Sequence, residues 1–266
     1  MSAPPLVERE DRLAPGGVPH LSFSRINKYL HCPEQYHLYY IENLRPKSAA
    51  ANLVFGQVLH QSLAALFRDK DDPLANFERS WAEARDFDLQ YSLRDSWQAL
   101  HDKGRALLEK FLREEVKRIG TIYAAEQRFE LNITTLRMPL IGFIDLLAEV
   151  DSLRMVVDFK TSGSSYEDYE VILSDQLTAY QLAEPEAQAT ALCVFVKTKE
   201  PRIEWHVSAR SGRRLTEFLA KTEYLAQQIA AGRFYKRPGK WCAWCDYLPV
   251  CTGDKRIAEE TLLQIQ

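Results

Sequence analysis

Apolar residues recur at helical spacing between about residues 21 and 119, and strand-like alternation takes over after Gly120. Ser22 or Ser24 can cap a helix through Asn27, Lys28, Tyr29 and Leu30, and Pro33, suited to a first helical turn, restarts helix up to Tyr40. Tyr36, Tyr39 and Tyr40 then gather on one side, which predicts a packing stripe, with base stacking as the alternative. Leu53, Gly56, His60, Leu63, Ala64 and Phe67 trace one helical face over residues 53–68, with His60 on its inward side. Further helices are predicted over 73–85 and 92–119, the second carrying Leu100, Leu107, Leu108, Phe111 and Leu112 in amphipathic register.

Beyond Gly120, Tyr123, Ala125, Gln127, Phe129 and Leu131 face one way and Glu126, Arg128 and Glu130 the other, as in a half-exposed strand. A second strand over 140–150 is apolar almost throughout except for Asp145, and a third covers 154–160 before a polar exit loop at 161–165. A helix over 173–182, strands at 191–197 and 202–207 and a long amphipathic helix over 211–231 complete the pattern. Helices, a three-strand meander, a helix, two strands and a helix predict an α/β fold with a mixed sheet. Residues 1–20, rich in Pro and Gly without periodicity, predict a flexible arm, and 21–266 a single domain that includes a helical insertion at 70–120.

With 266 residues, 46% hydrophobic and 27% charged, the chain can bury a large core without staples. No apolar run approaches the roughly 20 residues of a membrane helix, so a cytoplasmic protein without membrane association is expected. The net charge of −3 argues against indiscriminate coating of nucleic acid but does not bear on a local groove.

Asp145 is an acid inside an apolar strand, a placement costing several kcal/mol unless a cation or hydrogen bonds offset it. Asp158 and Lys160, two apart on the next strand, share a face. A divalent metal held between the two carboxylates relieves the conflict, and two acids with a lysine at a sheet edge are the minimum equipment for cutting a phosphodiester. A structural Asp–Lys ion pair is the plainer alternative. Cys242, Cys245 and Cys251 read C-x-x-C-x-x-x-x-x-C over a segment, 241–253, short enough for one metal centre to reach three thiolates, with Cys32 available as a fourth. Cys193 alternates within an apolar strand and reads as a core residue.

These residues resemble a known family. Gly142-Phe143-Ile144-Asp145 and Val157-Asp158-Phe159-Lys160-Thr161 resemble the core of the PD-(D/E)XK nucleases. The segment from Ser22 to Pro33, Gly56-Gln57-Val58-Leu59-His60 and Gln176-Leu177-Thr178-Ala179-Tyr180 look like the opening, histidine and Q-x-x-x-Y motifs of the RecB-like branch. The likeness extends to the CRISPR-associated RecB-like exonuclease and the AddB nuclease domain. It implies a restriction-endonuclease-like fold, a mixed central sheet flanked by helices and closed by a cysteine-cluster clasp.

It also implies roles. Asp145, Asp158, the Phe159 carbonyl and His60 would hold magnesium or manganese, Lys160 would orient the attacking water, and Glu126 would serve as an auxiliary acid. Gln176 and Tyr180, four apart on a helix, would reach the substrate backbone or the lysine. Cys32, Cys242, Cys245 and Cys251 match the split cysteine set of members with a four-iron four-sulfur cluster, with zinc as the alternative. The implied activity is a metal-dependent deoxyribonuclease, an exonuclease on single-stranded DNA or DNA ends in repair or recombination. The alternatives are a CRISPR adaptation nuclease trimming spacer precursors and a catalytically silent iron-sulfur DNA-binding module. No Walker motif is present, so unwinding would fall to a helicase partner, or the protein would serve a CRISPR adaptation complex.

Overall fold

The computed structural model describes residues 19–93 and 95–265, so the arm expected at 1–20 lies outside the described residues except for Pro19 and His20. In chain order the first elements are α1 (Phe23–His31), α2 (Pro33–Tyr36), β1 (Leu44–Pro46), β2 (Ala49–Ala50), α3 (Ala51–Ala64), α4 (Pro73–Glu83), β3 (Leu89–Gln90) and α5 (Trp97–Glu114). The sheet region follows with β4 (Ile119–Leu131), β5 (Leu140–Val150), β6 (Leu153–Ser162), α6 (Asp168–Ile172), α7 (Asp175–Ala183), β7 (Ala189–Val196) and β8 (Arg202–Ser208). Last come α8 (Gly212–Ala230), α9 (Leu248–Thr252), α10 (Lys255–Thr261) and β9 (Leu262–Gln264). Contacts divide these into two compact units, one of Ala50–Leu131 with Gly142–Leu219, the other of Asn132–Ile141 and Ala220–Gln266 with the residues up to Ala49.

The first unit holds a five-stranded sheet in the order β4-β5-β6-β7-β8. β5 and β6 are antiparallel and joined at Asp151 and Ser152, whose φ angles of 49° and 68° make the doubly left-handed turn that matches hairpin twist. β6 and β7 are parallel, which requires a crossover, here through α6 and α7; β7 and β8 are antiparallel. The sheet is thus mixed and the fold α/β, as the pattern predicts. Every residue of β7 is buried, which explains its apolar run from Ala191 to Val196 and the buried Cys193 within it.

Aromatic rings fill the space between sheet and helices. Phe159 stacks on Phe67 at 5.8 Å, and Phe111 of α5 meets Phe159 and Phe195 at 6.0 and 5.2 Å. A second group joins Phe55, Phe77 and Trp81, with centroids 6.0 to 6.3 Å apart. Gly104 of α5 admits it, because a Cβ there would lie 2.1 Å from Phe77 Cζ.

Local details depart from the pattern. The buried face of α3 is Val54, Phe55, Val58, Leu59, Ser62 and Leu63, whereas Leu53 is 54% exposed. Gly56 and His60 mark a half-exposed line beside that face rather than its centre. α5 begins at Trp97, not near 92, because Ser96 accepts the Ala99 N–H as N-cap. The predicted alternation holds over 127–131, with Phe129 buried and Arg128 and Glu130 exposed, but breaks before Glu126, whose φ of 58° interrupts the strand; Tyr123 is exposed and packs under Arg154. α6 has no counterpart in the prediction and is set by a Glu167–Glu170 capping box.

In the second unit Ser22 caps α1 by accepting the Arg25 N–H, and Tyr36, Tyr39 and Tyr40 are buried, so the tyrosine stripe is packing. Arg25 lies 4.2 Å over the Tyr40 ring and Lys28 4.2 Å over Tyr39. β1 and β9 pair antiparallel, Leu44 opposite Gln264. Tyr29 Oη donates to the Arg233 carbonyl at 2.7 Å and Tyr247 Oη to the Leu44 carbonyl at 2.9 Å.

Candidate active site

The β5–β6 pairing ends at Leu146 opposite Val157, and Asp145 and Asp158 each lie one residue beyond that last pair. Asp158 is fully buried and Asp145 nearly so. Lys160, two residues along β6, returns to Asp158 with Nζ 2.8 Å from Oδ2. That oxygen has this ion pair but no well-directed hydrogen bond among the described residues. The other oxygen, Oδ1, accepts from Gln176 Nε2 at 2.9 Å and lies 3.0 Å from Tyr180 Oη. Gln176 also accepts the Lys160 ammonium at 3.0 Å and donates to Tyr180 Oη at 2.7 Å. The spacing of four on α7, capped by Ser174, therefore places amide and phenol on one face against lysine and carboxylate together.

Asp145 Oδ2 accepts the Phe159 backbone N–H at 2.9 Å and lies 3.4 Å from His60 Nδ1 on α3. Burial pushes the Asp145 carboxyl up, but His60, Lys160 and the Phe159 amide outweigh it and hold the group below the ordinary range. Asp158 goes the other way: its burial dominates and its acidity falls despite Lys160. Burial lowers His60 and Lys160, yet the carboxylates beside each raise both above their ordinary values, so Lys160 is charged. One carboxyl pushed down and its neighbour pushed up, with a retained cation, is the electrostatic pattern of a functional site.

The described residues contain no group of three or more His, Cys, Asp and Glu side chains drawn together as a ready metal site. The donor chemistry fits a hard divalent ion: two buried carboxylates, one with an oxygen not fully satisfied, and an imidazole whose Nδ1 faces Asp145 so that Nε2 points elsewhere. Glu126 stands on β4, the neighbour of β5, with a left-handed backbone at φ 58°.

In the second unit Cys32, Cys242, Cys245 and Cys251 all line one cavity of about 250 Å³, together with Leu38, Pro238 and Trp241. All four thiols are free and half-buried. Two carry donors at sulfur: the Gly239 N–H lies 3.4 Å from Cys242 Sγ and Gln35 Nε2 4.0 Å from Cys245 Sγ. Trp241 meets His31 at 5.7 Å and Trp244 is 80% exposed.

A profile of the PD-(D/E)XK nuclease superfamily matches residues 20–252. The chain belongs to the PD-(D/E)XK nuclease superfamily. With membership comes a hydrolytic nuclease. The crystal structure of a "Putative exonuclease" from Eubacterium rectale shares the fold, with a TM-score of 0.56 at 12% identity over 89% of this chain and 88% of that one. A second solved structure, SSO0001, is 14% identical over 86% of this chain and 95% of its own, with a TM-score of 0.36, too low to speak to the fold. No curated protein matches the sequence. As a PD-(D/E)XK nuclease the chain gives its motif glycine a physical reason. A Cβ at Gly142 would lie 2.6 Å from Phe129 Cζ, so the bare backbone of β5 lets the Phe129 ring of β4 cross it and reach Tyr180, 5.8 Å away edge-on. Phe129 was legible only as a strand residue; its place behind Tyr180 needs the sheet order.

Proposed function

We propose that this PD-(D/E)XK nuclease is a metal-dependent deoxyribonuclease of the RecB-like branch, acting as an exonuclease on single-stranded DNA or DNA ends in repair or recombination. The observation that carries the reading is the Lys160–Gln176–Asp158–Tyr180 network beside Asp145. An ammonium has three N–H donors; Lys160 donates one to Gln176 Oε1 and sits in an ion pair with Asp158 Oδ2, which leaves donor capacity for an attacking water or a phosphate oxygen. Gln176 and Asp158 fix the direction of that donor, which matters because charge builds on the phosphate during in-line displacement. Asp145, Asp158, His60 and the Phe159 carbonyl would hold magnesium or manganese. When bound, such an ion lowers the pKa of a water and neutralises phosphate charge. Glu126 is the auxiliary acid in this reading.

Cys32, Cys242, Cys245 and Cys251, which line one cavity, are the ligands of a four-iron four-sulfur cluster in this reading, on the resemblance of their split spacing; four thiolates would also satisfy tetrahedral zinc, which is the alternative. N–H donors at two of the sulfurs are the usual tuning contacts of such a centre. Free thiols suit a reducing compartment, in keeping with the cytoplasm. We retain 21–266 as one nuclease domain with an insertion at 70–120. A helicase or CRISPR adaptation partner leaves the same chemistry in place, and gene neighbourhood separates those settings.

The test is degradation of end-labelled single-stranded and duplex DNA by anaerobically purified protein with manganese or magnesium, beside Lys160→Ala. Cutting should disappear in the variant while folding is retained. Equal cutting by both would remove Lys160 from the mechanism, and no cutting by a cluster-loaded wild type would overturn the enzyme reading.

A further inference from the structure

α3 carries a second line of polar contact along the sheet edge. Asn52, Gly56 and His60 lie four apart, hence on one stripe of the helix, and all three are half-exposed. Each meets a different strand of the sheet or the residue just after it. His60 faces Asp145 of β5, a Cβ on Gly56 would come within 3.1 Å of Thr161 Oγ1 on β6, and Asn52 Oδ1 accepts Lys197 Nζ at 2.5 Å just beyond β7. Residues four apart advance about 6 Å along the helix, close enough to the strand spacing of about 4.8 Å for one stripe to serve neighbouring strands. Lys197 is fixed in the same frame by its backbone, whose N–H donates to the Ser162 carbonyl at 2.8 Å and extends the β6–β7 ladder by one rung.

The charge around Lys197 is not balanced locally. Its ammonium lies 5.2 Å over the Phe55 ring and against the Asn52 amide. The nearby carboxylate, Asp95, is taken: it binds Lys103 Nζ at 2.9 Å, Ser92 Oγ at 2.6 Å and Asn52 Nδ2 at 3.1 Å, and is held at a pKa of about 2. The cluster thus sets two lysines against one carboxylate. Burial lowers the Lys197 pKa, a cost an anionic ligand would offset. Nothing in the catalytic network uses this cation.

We propose that Lys197, held by Asn52, binds a backbone phosphate of the substrate strand away from the scissile bond, so that α3 sets the path of the strand across the sheet edge. The inference rests on the nuclease reading above. Two strand spacings separate β7 from β5, about 10 Å, which is up to about three phosphates of a stacked strand.

The test is binding of a fluorescent single-stranded oligonucleotide of about 20 nucleotides in EDTA, at several salt concentrations. Lys197→Gln should weaken binding roughly tenfold and make the slope of log affinity against log salt shallower by about 0.7, the loss of one phosphate contact. Lys197→Arg should restore the slope, which a purely structural role would not predict. A scan of single methylphosphonate linkages should find one position that weakens the wild type and leaves Lys197→Gln indifferent. Because the scan on the wild type needs no variant to fold, absence of any sensitive linkage overturns the inference by itself. An unchanged slope in folded Lys197→Gln also overturns it, while loss of cutting in Lys160→Ala would still leave the nuclease reading standing. A wild type that neither binds nor cuts overturns both.

Discussion

Tyr180→Phe removes a single oxygen from the centre of the site. The Tyr180 side chain is buried, its Oη accepts from Gln176 at 2.7 Å, and its one proton serves either the Phe143 carbonyl at 2.9 Å or Asp158 Oδ1 at 3.0 Å. No ring volume is lost, so no cavity contribution beyond the oxygen is expected, and the cost is that of leaving buried partners short of a hydrogen bond, about 2 kcal/mol. For a chain of this size that lowers Tm by about 4 °C. Asp158 would also lose support for its ionised form, so its acidity, already reduced by burial, falls further. If ionised Asp158 is needed for turnover, the acid limb of the activity profile moves to higher pH. Thermal unfolding followed by tryptophan fluorescence, with Tyr169→Phe at an exposed position as control, reads the first effect; end-labelled DNA cleavage against pH reads the second. A Tm within about 1 °C of wild type together with an unmoved acid limb would refute the network as drawn.

Gly142→Ala should cost about 1–3 kcal/mol, because its Cβ would stand 2.6 Å from Phe129 Cζ. Adding Phe129→Leu should recover part of that loss, and strictly additive losses in a double-mutant cycle would count against the contact. Asp158→Asn removes a carboxyl whose pKa is raised, a group that favours the fold when protonated and disfavours it as pH climbs through its folded pKa. The variant's stability relative to wild type should therefore be better at pH 8 than at pH 4, measured by urea unfolding; an equal difference at both would remove Asp158 as the titrating group. Asp145 has the opposite sign, contributing stability above the ordinary carboxyl pKa that is lost as pH falls. Cys245→Ser should lose visible absorbance and bound iron in anaerobic preparations, and a colourless wild type carrying stoichiometric zinc would replace the cluster with zinc.

β5 was legible to the residue because a strand apolar throughout, broken by one acid, has no other low-energy use, and its bounds agree with the predicted 140–150. α7 was legible because Gln176 and Tyr180 sit at helical spacing behind a serine cap. What escaped depends on tertiary partners. Helical spacing alone puts Gly56 and His60 with the apolar face of α3, whereas both lie beside it, Gly56 against Thr161 and His60 against Asp145. β1 and β9 are three residues each and acquire strand identity only from one another, across more than two hundred positions. Lys197 follows an apolar strand as any surface lysine would; only Asn52 and the occupied Asp95 distinguish it.

The cavity of the four cysteines has a consequence for biosynthesis. Cys32 and Cys242 are 210 residues apart in the chain. At roughly 5–20 residues per second, Cys32 emerges from the ribosome about 10 to 40 seconds before the first thiol it shares the cavity with. During that interval the five-stranded sheet, which draws on residues up to 208, can be completed. On the proposed cluster reading, metal loading comes last, so iron starvation should leave chains with a formed sheet and an open cysteine cavity rather than unfolded ones.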